Sequence, residues 1–159
     1  MALRFHLVCW ISGLIVVTRS ASTDFNVPVP GCPPDWTRLG SRCFIFRNTA
    51  KVFGDAESVC ISLGGNLASI HSAEEKSFIR ELINKGSGSY LRSWIGAHDG
   101  VKEGMWMWTD GSRFDYQDWH SGEPNNRRVE NCAEINWQGE KWNDIACGHH
   151  RSFVCAKDL

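Results

Sequence analysis

Apolar residues recur at helical spacing in an early segment of the chain. Four of them follow one another at intervals of three and four residues, namely Phe53, Ala56, Cys60 and Leu63. This spacing places their side chains on one face of a helix. Because Gly64 and Gly65 come directly afterwards and glycine is typical of helix ends, we expect a first helix over residues 53–63.

A second helix is predicted to begin after Ser72. Ser72 is followed three residues later by Glu75, which is the pattern of a capping box. The apolar residues of this segment again have helical spacing and predict a buried face made of Phe78, Ile79, Leu82 and Ile83. Residues 86–89 are glycine and serine only, so we expect a flexible connection there.

Short apolar runs predict strands elsewhere in the chain. These runs cover residues 43–46, 93–97, 132–137 and 152–156. Between Ala97 and Cys132 the sequence has little regular pattern and is rich in tryptophan, glycine, aspartate and asparagine. A loop region of that length in a compact domain is usually functional, so we expect the functional residues in or beside it.

The first 22 residues have the pattern of a secretory signal peptide. A short basic start at residues 1–4 precedes an apolar stretch at 5–17, and small residues follow at Ser20 and Ser22. The apolar stretch is too short to span a bilayer, which makes an uncleaved anchor the less favoured alternative. We therefore expect cleavage near Ser20 or Ser22, with a signal peptide over 1–22, a short N-terminal segment over 23–31, and a secreted domain over 32–159 without membrane insertion.

Composition and charge exclude further classes of function. The chain has 159 residues and a formal net charge of −1, which indicates one domain and no basic surface for nucleic acid. Six of its seven cysteines lie after the predicted signal peptide, and an even number in an oxidising compartment is typical of a disulfide framework. No Cys-x-x-Cys pair occurs, so a structural zinc site is not expected.

Acidic and amide side chains are concentrated in two segments near the end of the long loop region. Residues 121–132 contain two acids and three amides, and Asn143 and Asp144 follow shortly afterwards. Carboxylate and amide oxygens without histidine or thiolate favour calcium over zinc or copper. Calcium takes about six to eight oxygen ligands, so a complete site needs both segments together. The alternative is a pair of ordinary polar turns.

These residues resemble the carbohydrate-recognition domain of C-type lectins. The central matches are Glu123-Pro124-Asn125, Glu130 and Asn143-Asp144, set among the six cysteines. Further matches are GCPPDW at 31–36, GGNLASIH at 64–71, WIG at 94–96 and EGMW at 103–106. The resemblance covers Cys32 to Cys155. Within the family, the chain is most similar in kind to the small secreted lectins of fish.

The resemblance implies an α+β fold of the long form of this family. Such a domain has two helices, small antiparallel sheets, a long calcium-binding loop region and three disulfide bonds. The family pairing carried over to this chain is Cys32–Cys43, Cys60–Cys155 and Cys132–Cys147. The family also holds the Glu–Pro bond of its motif in the cis form, which we expect at Glu123–Pro124.

The resemblance further implies Ca²⁺ as the cofactor and two sets of ligands. The principal calcium site maps onto Glu123, Asn125, Glu130, Asn143 and Asp144, and the first four of these are also the implied sugar contacts. An auxiliary calcium site maps onto Asp99, Glu103, Asn126 and Asn131. Asn131 departs from the family pattern, which usually has aspartate there, so this second site is in doubt.

The implied function is binding of sugars, with no enzymatic activity. In the family, the order Glu-Pro-Asn accompanies mannose-type sugars and Gln-Pro-Asp accompanies galactose, so we expect mannose-type glycans, including those of microbial surfaces in innate immunity. Arg127 and Arg128 are expected as a solvent-exposed pair, with contact to an anionic part of a glycan as the alternative. No cysteine is left for a covalent dimer, so an oligomer would be a noncovalent homo-oligomer. The alternatives are a calcium-independent or galactose-binding lectin and an ice-binding antifreeze protein on the same fold.

Overall fold

The computed structural model describes residues 31–159, so the predicted signal peptide and all but the last residue of the N-terminal segment lie outside the described residues. Two helices and eight strands are present in the described part. In chain order they are β1 Thr37–Leu39, β2 Arg42–Lys51, α1 Phe53–Ser62, β3 Asn66–Leu67, α2 Ala73–Ser87, β4 Ser93–His98, β5 Met107–Trp108, β6 Cys132–Trp137, β7 Lys141–Ile145 and β8 Arg151–Asp158. The four strands and two helices predicted from the sequence are confirmed.

The strands join in one sheet of order β1-β2-β8-β4-β6-β7, with β3 added to β8 and β5 added to β4. All pairs are antiparallel except β4 and β8, in which Trp94 lies opposite Phe153. The expected small antiparallel sheets are therefore joined through one parallel pair. This arrangement brings β6 and β7 to one edge of the sheet, beside the long loop region.

Both helices pack on the sheet by the faces that the pattern predicts. In α1 the buried residues are Phe53, Ala56 and Cys60, and in α2 Ile79 and Ile83 are fully buried while Phe78 is half-buried. The Ser72 side chain accepts a hydrogen bond from the Glu75 N–H at 3.1 Å. The other half of the capping box differs from the prediction, because the Glu75 carboxylate accepts from the N–H of His71 at 2.7 Å.

The second helix is longer than expected at its C-terminal end. It includes Gly86 and ends at Ser87, and Gly88 follows with φ +79°. Glycine adopts this left-handed conformation readily, so the helix ends at Gly88 and not at the start of the Gly/Ser segment.

Three disulfide bonds hold the domain, with the pairing that the family resemblance implies. They are Cys32–Cys43, Cys60–Cys155 and Cys132–Cys147, with Cα–Cα distances of 5.6, 5.3 and 5.2 Å. Cys60–Cys155 links α1 to β8 across 95 residues, for which loop-closure entropy gives a stabilisation of about 4–5 kcal/mol. Within residues 31–159 no helix has both the length and the apolar character needed to cross a bilayer.

Candidate functional site

The two oxygen-rich segments lie against each other, and Asp144 connects them. Asp144 sits in β7, is 1% exposed, and points its carboxylate toward the loop of residues 121–131. Its Oδ1 accepts from the N–H of Asn125 at 3.0 Å and its Oδ2 from the N–H of Asn126 at 2.7 Å. The carboxylate therefore fixes the loop directly after the Glu-Pro-Asn motif.

The loop is further held by hydrogen bonds among its own residues. The Glu123–Pro124 peptide bond is cis, as the resemblance implies. The Asn125 amide nitrogen donates to the Glu123 carboxylate. The N–H of Arg127 lies 2.9 Å from both the Asn125 amide oxygen and the Glu130 carboxylate. Glu123, Asn125 and Glu130 are thus neighbours in one network.

The remaining predicted ligand, Asn143, is oriented by Glu134, a residue that the sequence analysis did not identify. The Asn143 amide nitrogen donates to Glu134 at 3.0 Å, which directs the amide oxygen away from Glu134. Glu134 is fully buried and also accepts from Arg92 at 3.0 Å and from Arg151 at 2.6 Å. A glutamate inside the apolar run 132–137 was the only sequence signal for this role.

Burial and the negative charges of neighbouring carboxylates raise the pKa values of Glu123 and Glu130. Burial raises the pKa of Glu123, and the nearby carboxylates of Asp144 and Glu130 raise it further. Burial also raises the pKa of Glu130, and Asp144 adds to the effect, while the Arg127 N–H opposes it. A divalent cation among these groups would relieve the repulsion.

The principal set fits calcium by the chemistry of its donors. It consists of three carboxylates and two amides. Among residues 31–159 no group of three or more His, Cys, Asp and Glu side chains is placed so that it could hold a metal ion, so the fit rests on the types of donor and not on a preformed cage. Hard oxygen donors of this mixture suit calcium, and five side chains leave about one to three of its six to eight positions for other oxygens.

The auxiliary set contains two buried oxygens without a hydrogen-bond partner. Asp99 is 1% exposed, and its Oδ2 accepts from the N–H of Gly104 at 2.8 Å while its Oδ1 has no partner. The amide oxygen of Asn131 is likewise buried and unpaired. Because buried polar atoms are normally satisfied, these two oxygens fit a second cation.

The other two auxiliary residues lie beside this pair. Glu103 is exposed, but partial loss of hydration raises its pKa, and the charges of Asp99 and Asp144 raise it further, whereas a hydrogen bond from Asn126 lowers it. The Asn126 amide oxygen accepts from the N–H of Glu130 at 2.8 Å, so Asn126 contacts both predicted sets.

Packed aromatic side chains support the site. Trp142 directly precedes Asn143, is fully buried, and contacts Trp108, Tyr116 and Trp119 at ring-centroid distances of 5.8, 5.8 and 5.6 Å. The carbonyl of Trp142 accepts from the N–H of His120 at 2.8 Å. The tryptophans therefore anchor the loop region to β7.

Comparison with known proteins agrees with this architecture. Residues 49–157 match the family model described as Lectin C-type domain. The chain is 49% identical over 144 residues to the galactose-specific lectin nattectin of Thalassophryne nattereri, with 90% of this chain and 86% of that protein covered. It is 35% identical over 162 residues to a type-2 ice-structuring protein of Osmerus mordax, with 95% and 89% covered. The solved structure of herring type II antifreeze protein matches with a TM-score of 0.76 at 40% identity, covering 80% of this chain and 99% of that one.

Proposed function

This chain belongs to the C-type lectin family, and from that membership we propose that it is a secreted, calcium-dependent sugar-binding protein of mannose-type specificity. The observation that carries the proposal is the contact between Asp144 and the backbone of Asn125 and Asn126. This contact draws the Glu-Pro-Asn loop to β7, where Asn143 and Asp144 supply the remaining oxygens.

The proposed ligands form two similar pairs, each with one carboxylate and one amide. Glu123 lies beside Asn125, whose amide nitrogen donates to it, and Glu130 with Asn143 is the second proposed pair. A sugar hydroxyl can donate to the carboxylate and accept from the amide N–H of one pair. Calcium, when bound, supplies a Lewis-acidic centre that takes two neighbouring sugar hydroxyls as ligands.

The Glu-Pro-Asn order supports mannose-type sugars, and one comparison favours galactose as the second candidate. The nattectin relative carries galactose specificity in its name. The test is passage of the protein over mannose-agarose and lactose-agarose in calcium, followed by EDTA. Retention on mannose with release by EDTA is the expected result. Retention on lactose alone would replace mannose by galactose, and retention that survives EDTA would contradict calcium dependence.

Ice binding is a further candidate because relatives named ice-structuring and antifreeze proteins share the fold. Thermal hysteresis of the purified protein distinguishes this use from sugar binding. We expect none, and a clear freezing-point gap would overturn the lectin proposal if sugar retention were also absent.

The proposal includes a signal peptide over residues 1–22, followed by the segment 23–31 and the lectin domain 32–159. N-terminal sequencing of protein secreted by cells checks the cleavage point. Single lectin sites bind monosaccharides weakly, so recognition of microbial glycans requires several sites at once. We therefore propose a noncovalent homo-oligomer, which sedimentation in calcium would detect.

A further inference from the structure

Two consecutive arginines lie in the exposed part of the Glu-Pro-Asn loop. Arg127, Arg128 and Val129 are all exposed, and Val129 has 66% of its surface open to solvent. The two arginine side chains take part in none of the ion pairs found within residues 31–159. Exposed loops are the preferred sites of proteolytic cleavage, and free arginine side chains are what many proteases recognise.

The other exposed basic residues do not form such a pair. Within residues 31–159 they stand singly in the sequence, and they are Arg38, Lys85, Lys102 and Arg113. The first two lie in β1 and α2, where backbone hydrogen bonds hold the chain. In the described part of the chain, two adjacent cleavage positions in an exposed loop therefore occur at Arg127 and Arg128 alone.

The backbone at this position must change its conformation before a protease can cut it. Arg128 and Val129 have φ angles of +59° and +69°, which is uncommon for residues other than glycine. Proteases cut segments that have opened locally and bind them in extended form, so both residues must leave the left-handed region. The same movement breaks the contacts of the Arg127 N–H, which lies 2.9 Å from both the Asn125 amide oxygen and the Glu130 carboxylate.

The proposed calcium ligands lie on both sides of the Arg128–Val129 bond. Glu123 and Asn125 precede this bond, and Glu130 follows it. An ion bound to all three would oppose local opening, because the loop could open only after the ion had left. Cleavage should therefore proceed through the calcium-free protein.

The disulfide bonds determine what cleavage leaves behind. Cys32–Cys43 lies wholly before the Arg128–Val129 bond and Cys132–Cys147 lies wholly after it, whereas Cys60–Cys155 joins the two parts. The two pieces therefore stay covalently linked after cleavage. The loop that connects Glu123 and Asn125 to Glu130 is nevertheless interrupted.

We propose that the Arg128–Val129 bond is a cleavage site for a trypsin-like serine protease, that cleavage abolishes sugar binding, and that bound calcium protects the bond. This inference rests on the proposed function and adds a regulation of the same site. Hydrolysis consumes one water molecule, whose hydroxyl goes to the Arg128 carbonyl carbon and whose proton goes to the Val129 nitrogen. Arginine suits the role because its guanidinium pairs with a carboxylate, as in the specificity pocket of such a protease.

The test is digestion of the full secreted protein with trypsin, in EDTA and in calcium at about 100 times its dissociation constant. Reducing gels follow the loss of the intact chain, and mass spectrometry identifies the new termini. In EDTA we expect the first new N-terminus at Val129 and two pieces that separate only after reduction. In calcium the cleavage should be about 100-fold slower, because only the calcium-free fraction opens. A first cut elsewhere in EDTA, or equal rates in a protein that binds calcium, overturns the inference.

Two variants connect the cut to this loop. The double variant Arg127→Gln/Arg128→Gln keeps the backbone N–H of residue 127 and should remain intact at this loop in EDTA. Arg113→Gln, which removes another exposed arginine of the long loop region, should be cut as fast as the wild type. Cleavage of the double variant within the loop at the wild-type rate overturns the inference.

Sugar binding before and after cleavage completes the test. Protein cleaved in EDTA and returned to calcium should pass through the sugar column that retains the intact protein. Retention of the cleaved protein overturns the inference and leaves the proposed function standing. Failure of the intact protein to bind any sugar in calcium overturns both.

Discussion

Single residues beneath the site determine how its ligands are presented. Glu134 is buried in β6 and shares its carboxylate among Asn143, Arg92 and Arg151. Residues that orient metal ligands commonly change metal affinity by about 10–100-fold when they are altered. We therefore expect Glu134 to affect calcium binding through its hydrogen bond to Asn143, although it lies outside the proposed coordination.

Glu134→Gln is expected to lower calcium affinity by about tenfold or more. The neutral amide can present N–H groups to Asn143 and removes the charge that holds both arginines, so the Asn143 amide loses its fixed orientation. Isothermal titration with calcium measures the change. The matched control is Glu81→Gln on the exposed face of α2, where the carboxylate accepts a hydrogen bond from the Tyr90 hydroxyl. Unchanged calcium affinity in a folded Glu134→Gln protein would contradict the assignment.

Calcium binding should be lost on acidification at a higher pH than ordinary glutamates would give. Burial and Asp144 raise the pKa of Glu123 and of Glu130 in the metal-free protein. Their ionised forms therefore destabilise the metal-free fold above the raised pKa, and this cost disappears as the pH falls. Calcium needs the ionised forms, so its affinity decreases as they protonate. Dissociation constants for calcium, measured at stepwise lower pH from pH 7, should begin to rise at a pH above the ordinary glutamate pKa of about 4.3. An affinity that begins to fall only below that pH would contradict the prediction.

At the scale of elements, partly buried ion pairs attach α2 to the loop region and to β7. Lys76 of α2 lies 2.6 Å from Asp118, and Lys141 of β7 lies 2.5 Å from the same carboxylate. Burial alone would raise the pKa of Asp118, but the hydrogen bonds from Lys141 and Lys76 outweigh it and hold the pKa below its usual value. Asp118 therefore stabilises the fold when ionised.

Lys76→Met should destabilise the domain by about 1–3 kcal/mol at neutral pH, because Asp118 loses a buried partner. The contribution of Asp118 is present above its unfolded pKa of about 3.9 and is lost as the pH falls through its lower folded value. Urea unfolding at pH 7 and near pH 3 should therefore show a smaller difference between variant and wild type at the lower pH. Lys85→Met, on the exposed end of the same helix, should have little effect at either pH.

A glycine allows the short strands to approach β4. A Cβ atom at Gly96 would lie 2.5 Å from the Leu67 carbonyl oxygen and 2.9 Å from the Thr109 hydroxyl. Gly96→Ala should lower the free energy of unfolding by about 1–3 kcal/mol, as overpacking does elsewhere. Gly100→Ala is the control, since its Cβ would meet only His98 at 4.0 Å. Similar melting temperatures for the two variants would show that β4 can shift to accommodate the methyl group.

How far the sequence predicts the fold depends on the length of each element. Long elements such as α2 and β6 have enough residues for a pattern to appear, whereas β3 and β5 have two residues each. These two strands arise from tertiary pairing with β8 and β4, which no local pattern records. In the site, residue types indicated the oxygen donors, but the Asp144 contacts join residues 18 and 19 positions apart and required the fold.

For the whole molecule, calcium binding and the stability of the fold should be linked through one disulfide bond. Cys132–Cys147 and Cys32–Cys43 close loops of similar length, with separations of 15 and 11 residues, so loop-closure entropy gives each a similar stabilisation of about 3 kcal/mol. Only Cys132–Cys147 lies beside the candidate site, because Cys132 directly follows Asn131 and Cys147 follows β7. The two bonds therefore form a matched pair for separating stability from binding.

We expect both double serine variants to melt at lower temperature than wild type, and only Cys132→Ser/Cys147→Ser to lose calcium affinity. Calcium at about 100 times its dissociation constant should stabilise the wild type by about 2.7 kcal/mol, because a ligand of the folded state shifts the unfolding equilibrium. That stabilisation should persist in Cys32→Ser/Cys43→Ser and shrink in the other variant. Melting curves with calcium and with EDTA measure both quantities on each protein. An equal calcium-induced shift in the two variants would mean that β6 and β7 hold the ligands in place without the disulfide bond.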